Sequence, residues 1–245
     1  MAFLDGPTPI AFAHRGFAPD GAENSMAAFQ RAIDLGYRYL ETDVRVTADG
    51  VALAYHDARL DRLTDASGLI GQMRWDDVRR ARIRGREPLA LLSDVLVTWP
   101  QARVNIDVKA ASSVRPAIEA IRRAGAIDRV CVAAFSARRI AAVRRALGPT
   151  VCASVGPRAV VTLRIARRLR AQGIRCVQAP ARVRGHPFVT TTFVAAAHAA
   201  GVQVHAFTVN DEAEMHRLLD LGVDGIMTDR ADLLRTVLES RGQWS

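Results

Sequence analysis

The chain has little cysteine, three residues among 245, and the number is odd. That excludes the paired framework of a small disulfide-stapled secreted domain. Cys131, Cys152 and Cys176 each fall near the start of a predicted strand, far from the strand ends that carry polar chemistry. Neighbouring thiols there could hold a metal, but the simpler reading is small buried hydrophobes. Long apolar runs are also missing: none approaches the roughly 20 residues of a membrane span. The first residues, MAFLDGPTPI, lack a basic segment followed by a long apolar stretch, so the mature chain is expected to begin at Met1 and stay in the cytoplasm. Aromatic residues make up only 6%. Few of them are interleaved with basic residues and no nucleic-acid motif is present, so no nucleic-acid partner is expected.

Lysine is nearly absent. The formal charge of +9 comes almost wholly from arginine, and Lys109 is the one lysine. Pairs such as Arg138-Arg139 and Arg144-Arg145 lie on predicted helices, where solvated outer faces explain them, with peripheral contact to an anionic membrane as the functional alternative. Against that background Lys109 suggests a position that needs a compact point charge rather than a planar fork.

What is present is concentrated between Ile10 and Asp65. An apolar strand ends in His14-Arg15-Gly16, and a second, YLETDVRV, carries Glu41, Asp43 and Arg45 on one face by period-two alternation. Two carboxylates on one strand face repel unless a cation lies between them, and a hard divalent metal is the simplest candidate. Thr47-Ala48-Asp49-Gly50 is too short for a parallel crossover, so VALAYHD must return antiparallel. With Asp49-Gly50 as a two-residue turn, His56 falls opposite Asp43.

Further along, strands and helices alternate. A helix over Met26 to Leu35 leads to the strand bearing Glu41 and Asp43, and residues 58–88 interrupt the pattern as an insertion expected to cover the mouth of the site. A short helix from Trp75 to Ala81 falls within it. From Leu89 the alternation resumes to the end, with VCASVG as one strand and VVTLRIARRLRAQG as one helix. Nine strand candidates less the hairpin return leave eight, the number in a closed parallel barrel. The expectation is one α/β domain over residues 1–245, a TIM-type (β/α)8 barrel with a small insertion at about 47–88 after the second barrel strand. A doubly wound sheet is the rival, but HRGFAPDG is a poor phosphate-binding glycine loop. Barrel enzymes keep their sites at the C-terminal strand ends. There the topology gathers His14, Arg15, Glu41, Asp43, Asp107, Lys109, Phe135, Gln178, Phe207, Asn210 and Asp229, a set suited to a phosphate diester bound through a metal.

These residues resemble the glycerophosphodiester phosphodiesterase family. His14-Arg15-Gly16, Glu23-Asn24-Ser25, Glu41-Thr42-Asp43-Val44, Thr47-Ala48-Asp49-Gly50, His56-Asp57, Leu60-Asp61-Arg62, Asn105 to Lys109, Thr208-Val209-Asn210 and Gly225 to Asp229 match its motifs in order. The resemblance implies His14 and His56 as the acid/base pair, Glu41, Asp43 and Asp107 as ligands of one divalent cation (Ca2+ or Mg2+), and Arg15 and Lys109 as phosphate contacts. Phe207 and Gln178 would line the substrate pocket. Asp107 stands where the family usually has Glu, as in the related sphingomyelinase D group, Phe207 where Trp is frequent, and Ala22 where Pro is frequent. The implied activity is metal-dependent hydrolysis of small glycerophosphodiesters to glycerol 3-phosphate and an alcohol, a role in lipid and glycerol metabolism. The alternatives are a phospholipase D-like activity on lysophospholipids or sphingomyelin, favoured by an apolar mouth built from the 58–88 insertion, and a non-catalytic binder of anionic surfaces. No oligomeric state is assigned.

Overall fold

The computed structural model describes residues 2–169 and 173–244. Eight parallel strands form its centre: β1 (Ile10–His14), β2 (Tyr39–Val46), β3 (Arg103–Val108), β4 (Val130–Ala133), β5 (Cys152–Ala153), β6 (Cys176–Pro180), β7 (Gln203–Phe207) and β8 (Gly225–Thr228). Helices follow them in turn: α1 (Met26–Asp34), α2 (Leu92–Thr98), α3 (Val114–Arg123), α4 (Ala137–Leu147), α5 (Pro157–Ala166), α6 (Thr191–Ala199), α7 (Glu212–Asp220) and α8 (Ala231–Ser240). The strands pair in the order β5-β4-β3-β2-β1-β8-β7-β6. A single bridge from Ser154 to Cys176 and the bond from Val155 N–H to the Cys176 carbonyl (3.1 Å) join the two ends, so the sheet is the expected (β/α)8 barrel.

Three local expectations differ. Thr47 N–H pairs with the Val51 carbonyl (3.1 Å), so the hairpin loop has three residues, with Gly50 at φ +87° as the left-handed third. The Thr47 hydroxyl, between Asp49 Oδ1 (2.6 Å) and Val51 N–H (3.0 Å), holds that geometry. The register therefore moves by one residue: Val44 faces Ala54, and Tyr55 rather than His56 bonds to the Asp43 carbonyl (2.9 Å). The return strand ends at Ala54 and His56 belongs to the rim loop, where its carbonyl accepts from Arg45 Nε (2.9 Å). The strand expected over VCASVG is only Cys152–Ala153, because Gly156-Pro157 opens α5 with proline at its first turn. Helix α5 stops at Ala166, where Arg167 turns left-handed (φ +52°) and its N–H caps the Leu163 carbonyl; the rest of the expected helix includes residues 170–172, outside the described residues.

The insertion does not cover the site. Its apolar residues, Leu60, Leu63, Ile70, Val78 and Ile83, pack on Tyr55 and Leu53 into a satellite core of their own. Its helix is a single turn, Trp75–Val78. Residues 58–88 contribute none of the cleft lining.

Inside the barrel the side chains change character along the axis. At the N-terminal end Phe3, Phe12, Tyr39, Met227 and the three cysteines form one buried apolar cluster. The short helix Ala2–Leu4 closes that end, with Phe3 edge-on to Tyr39 and the Tyr39 hydroxyl bonded to the Phe3 carbonyl (3.0 Å). Two residues further along the strands come His14, Glu41, Asn105, Ser154 and Gln178, which line the open end. The apolar plug makes that polar layer a floor rather than a channel.

The turn after β1 is tightly specified. Gly16 sits at φ +80°, and an added Cβ would lie 2.6 Å from the Ala28 carbonyl carbon and 2.8 Å from Phe29 N, in the first turn of α1. That turn is fixed by Ser25, whose hydroxyl caps Ala28 N–H (3.1 Å). Gly16→Ala is expected to cost about 2–4 kcal/mol, since both the backbone angle and the clash oppose it. A urea unfolding midpoint unchanged from the parent would contradict this account of the turn.

Candidate active site

The register of the parallel strands sets the site. His14 on β1 lies beside Glu41 on β2, and Asp43 on β2 lies beside Asp107 on β3. All three carboxylates are buried (4%, 1% and 7% exposed), so their mutual repulsion acts in poor dielectric and needs compensation. Lys109, two residues beyond Asp107, supplies part of it: its ammonium lies 2.8 Å from Asp43 Oδ1 and 2.6 Å from Asp107 Oδ2. Removing one partner of such a buried set typically costs about 3–5 kcal/mol. Lys109 therefore pairs with Asp43 and Asp107.

Arg15 supplies the second cation, from a left-handed backbone (φ +58°). Its N–H bonds to the Glu41 carbonyl (3.0 Å) and approaches Glu41 Oε2 (3.2 Å), and its carbonyl accepts from Asn24 N–H (2.9 Å). The guanidinium Nη1 reaches Glu23 Oε1 (2.8 Å). Nε stands 3.0 Å from Asp43 Oδ2 as a charge contact without hydrogen-bond alignment, leaving that buried N–H unpartnered. Asn24, also left-handed, donates to Asp43 Oδ2 (3.2 Å) and accepts from the Thr42 hydroxyl (2.7 Å).

The charges respond accordingly. Burial first, then Asp43, pushes the Glu41 carboxyl up to about 8. For Asp43 burial works the other way from Lys109 and Arg15, and the two cations win, holding it below the usual carboxylate range. Asp107 is raised, burial outweighing Lys109. A donor set of three carboxylates, one held back from ionising chiefly by burial and then by Asp43, and one with a buried, unpartnered oxygen (Asp107 Oδ1), has the chemistry of a hard-cation site. The ligand atoms of Glu41, Asp43 and Asp107 do not all approach within 4.8 Å of one another; among the described residues only the three cysteines form so tight a group.

Each histidine has a carboxylate at Nδ1. His14 Nδ1 lies 2.6 Å from Asp229 Oδ1, and Asp229 is held by Asn210, whose Nδ2 donates to Oδ2 (2.7 Å) and whose Oδ1 accepts from Asp229 N–H (2.9 Å). His14 Nε2 lies 3.7 Å from Glu41 Oε2. Burial pulls the His14 pKa down, but Glu41 and Asp229 together raise it above 6.5. His56 Nδ1 lies 2.6 Å from Asp57 Oδ1. Asp57 then meets Arg62 (2.5 Å), Arg62 meets Glu23 (2.7 Å), and Glu23 meets Arg15, a chain of charges joining the two rim loops.

Both histidines, the three carboxylates, Arg15 and Lys109 line one cleft of about 390 Å3, together with Gln178 and Phe207. Gln178 Nε2 donates to Asn105 Oδ1 (2.7 Å) on the floor. The opposite wall is apolar: Phe135, Val155, Pro157, Val160, Val161 and Phe188.

A profile of the glycerophosphoryl diester phosphodiesterase family matches residues 14–233, the span that carries every one of these side chains. This chain belongs to that family. It is accordingly an enzyme, a phosphoric diester hydrolase. A curated relative in Mycobacterium tuberculosis, named "probable glycerophosphodiester phosphodiesterase 2", is 46% identical, with all of this chain and 96% of the relative covered. A glycerophosphodiester phosphodiesterase of Bacillus altitudinis is 31% identical over 90% of this chain and 94% of its own. Lysophospholipase D GDPD1 of Mus musculus shares 31% identity over 41% of this chain and 36% of its own. In fold the chain is similar to the solved structure of an Oleispira antarctica phosphodiesterase in complex with the product sn-glycerol-3-phosphate (TM-score 0.81, 21% identity, 95% and 97% covered). An Agrobacterium tumefaciens glycerophosphodiester phosphodiesterase is likewise similar (TM-score 0.77, 24% identity, 94% and 99% covered).

Sequence reasoning placed all nine candidate residues at one rim but missed their partners. Asp229 was visible as a strand-end acid without its role, while Glu23, Asp57 and Arg62 stood in motifs of the family resemblance with no role assigned to them. Of the other histidines, His198 is on the outside against Asp224 (2.7 Å), and His216 meets Arg241 (3.3 Å). His186 lies in an exposed two-stranded ribbon. His205 is fully buried in the barrel, and its Nδ1 has no partner.

The His14–Asp229 pair has a pH signature. A histidine pKa raised by folding adds stability that is complete below 6.5, the ordinary value, and is lost as pH rises through the folded pKa. Asp229→Asn should therefore lower the His14 pKa and remove the Asp229 share of that stability on the acid side, the rest coming from Glu41, leaving alkaline stability little changed. NMR titration of the His14 ring is the check, and an unmoved pKa would contradict the pairing.

Proposed function

We propose that the chain hydrolyses glycerophosphodiesters to glycerol 3-phosphate and an alcohol, with His14 and His56 as the acid/base pair. One observation carries the reading: two imidazoles, each anchored at Nδ1 by a carboxylate, line the same cleft as two cations and three buried carboxylates. Anchoring Nδ1 fixes the tautomer and leaves Nε2 for proton transfer.

A phosphate diester resists attack because its oxygens are anionic. Arg15 and Lys109, fixed by ion pairs before substrate arrives, would hold the phosphoryl group and offset charge that develops on it. Glu41, Asp43 and Asp107 would bind one Ca2+ or Mg2+, which when bound would supply further stabilisation of the phosphoryl oxygens. His14, its basicity raised by Glu41 and Asp229, removes the proton of the attacking water or of the neighbouring glycerol hydroxyl. His56 protonates the leaving alcohol. Gln178 and Phe207 would contact the glycerol end of a small-molecule substrate. No helix among the described residues is long and apolar enough to cross a membrane.

The apolar wall favours a second reading within the same chemistry, in which the alcohol carries an acyl chain. Phe135 and Val161 are exposed (67% and 50%) on the cleft side formed by β4 and α5, not on the insertion. An exposed apolar rim beside a polar floor matches an amphipathic substrate such as a lysophospholipid, and would also bring the rim to a membrane surface.

On glycerophosphocholine, turnover should be abolished by EDTA and restored by Ca2+ or Mg2+, and His14→Ala and His56→Ala should each lower kcat by about 10^2–10^4. No turnover with or without chelator, or turnover indifferent to it, overturns the reading. Phe135→Ser with Val161→Ser should lower kcat/KM on a long-chain lysophosphatidylcholine about tenfold, the equivalent of about 1.4 kcal/mol, and leave glycerophosphocholine within about twofold. Equal losses on both substrates would rule out the acyl-chain role of this wall.

A further inference from the structure

The three cysteines lie far apart in sequence but at one level of the barrel interior. Cys131 on β4 is in register with Cys152 on β5, and Cys176 on β6 is carried beside them by the bridge that closes the barrel. All three are buried (0%, 1% and 0% exposed). Their Sγ atoms lie within 4.8 Å of one another, and Cys131 and Cys176 are 3.7 Å apart. In an equilateral triangle of sulfurs the centre lies at the edge length divided by √3, so the 3.7 Å edge corresponds to about 2.1 Å and the 4.8 Å upper bound to about 2.8 Å from each sulfur. That interval contains the Zn–S distance of about 2.3 Å, and two sulfurs of a tetrahedral zinc stand about 3.8 Å apart.

We propose that Cys131, Cys152 and Cys176 bind one zinc ion in the barrel interior, as a structural site separate from the cleft. Thiolate donors select soft and borderline cations, whereas the all-oxygen set at the rim selects hard ones, so the two ends of the barrel discriminate by chemistry. Binding replaces three S–H bonds by three Zn–S bonds and releases three protons to solvent. In the thiol form the sulfurs make only weak hydrogen bonds, between Cys131 and Cys176 (3.7 Å) and between Cys176 and the Ala153 carbonyl (3.5 Å). His205 on β7 is fully buried with its Nδ1 unpartnered, but its ring nitrogens lie outside the group of ligand atoms within 4.8 Å of one another, so the three thiolates are the protein's ligands. Since the thiols are shut off from solvent, the ion would enter as the barrel closes during folding, tying β4, β5 and β6 together where β5 is only two residues long.

The test uses the full chain, produced with zinc in the medium and analysed by metal mass spectrometry after dialysis against EDTA. About one zinc per chain is expected in the parent and in Glu41→Gln, falling below about a tenth in Cys152→Ala and Cys176→Ala. Because those variants could fail to fold, a second measurement uses the parent alone. Refolding with Co2+ in place of zinc should give the near-ultraviolet thiolate-to-metal charge-transfer band and visible d–d bands of a sulfur-bound ion. A zinc-free parent with no such band after refolding overturns the proposal, and so does zinc that is lost in Glu41→Gln but kept in the cysteine variants.

Discussion

Three carboxylates buried on neighbouring strands cannot all stay ionised unless positive charge is brought to them, and much of the rim is arranged around that requirement. Asp43 and Asp107 stand side by side in the β2–β3 register, and the single lysine of the chain spans them. Arg15 meets Asp43 from the other side, from a left-handed backbone position sustained by bonds to Glu41 and Asn24. Glu41 keeps the least compensation, and its carboxyl is the one pushed furthest toward neutrality, to about 8. Residual frustration of this kind is expected where a site awaits a further positive ligand.

The barrel supplies position, and the loops supply tuning. The strand ends fix where His14, Glu41, Asp43 and Asp107 start, but the carboxylates that orient the imidazoles come from beyond them: Asp229 after β8 and Asp57 in the loop beyond the hairpin. Below this layer the interior is aromatic and sulfur-lined, so the polar groups rest on a packed base that does not admit water from the far end.

The sequence made the barrel legible because each strand-helix unit repeats the same switch of hydrophobic period, and one rim legible because acids and cations recur at strand ends. It failed by one residue in the hairpin. There the Thr47 side chain selects a three-residue loop, and no alternation pattern distinguishes that from a two-residue turn. It also misjudged residues 58–88, whose polar composition concealed a small core of well-spaced apolar residues. The contacts of the histidines were hidden for a different reason. Glu23, Asp57 and Arg62 stand in recognisable motifs, but a carboxylate at a loop position has no period that tells what it touches, and their pairing shows only when two loops distant in sequence meet.

Those same residues make the insertion something other than an ornament. Glu23 is shared by Arg15 from the first rim loop and Arg62 from the insertion, and Arg62 in turn grips the acid that orients His56. The protruding segment thus behaves as a brace for the catalytic mouth. Its ribbon, Arg82–Ile83 with Glu87–Pro88, buries Ile83 in that small core and reaches the first rim loop through Arg84 to the Gly21 carbonyl (3.3 Å) and Arg86 to Asp20 (3.3 Å), so shortening the segment would unseat one imidazole and loosen the guanidinium of Arg15. Without Arg62 the acid at Asp57 would keep its place beside His56 but lose the cation that holds it.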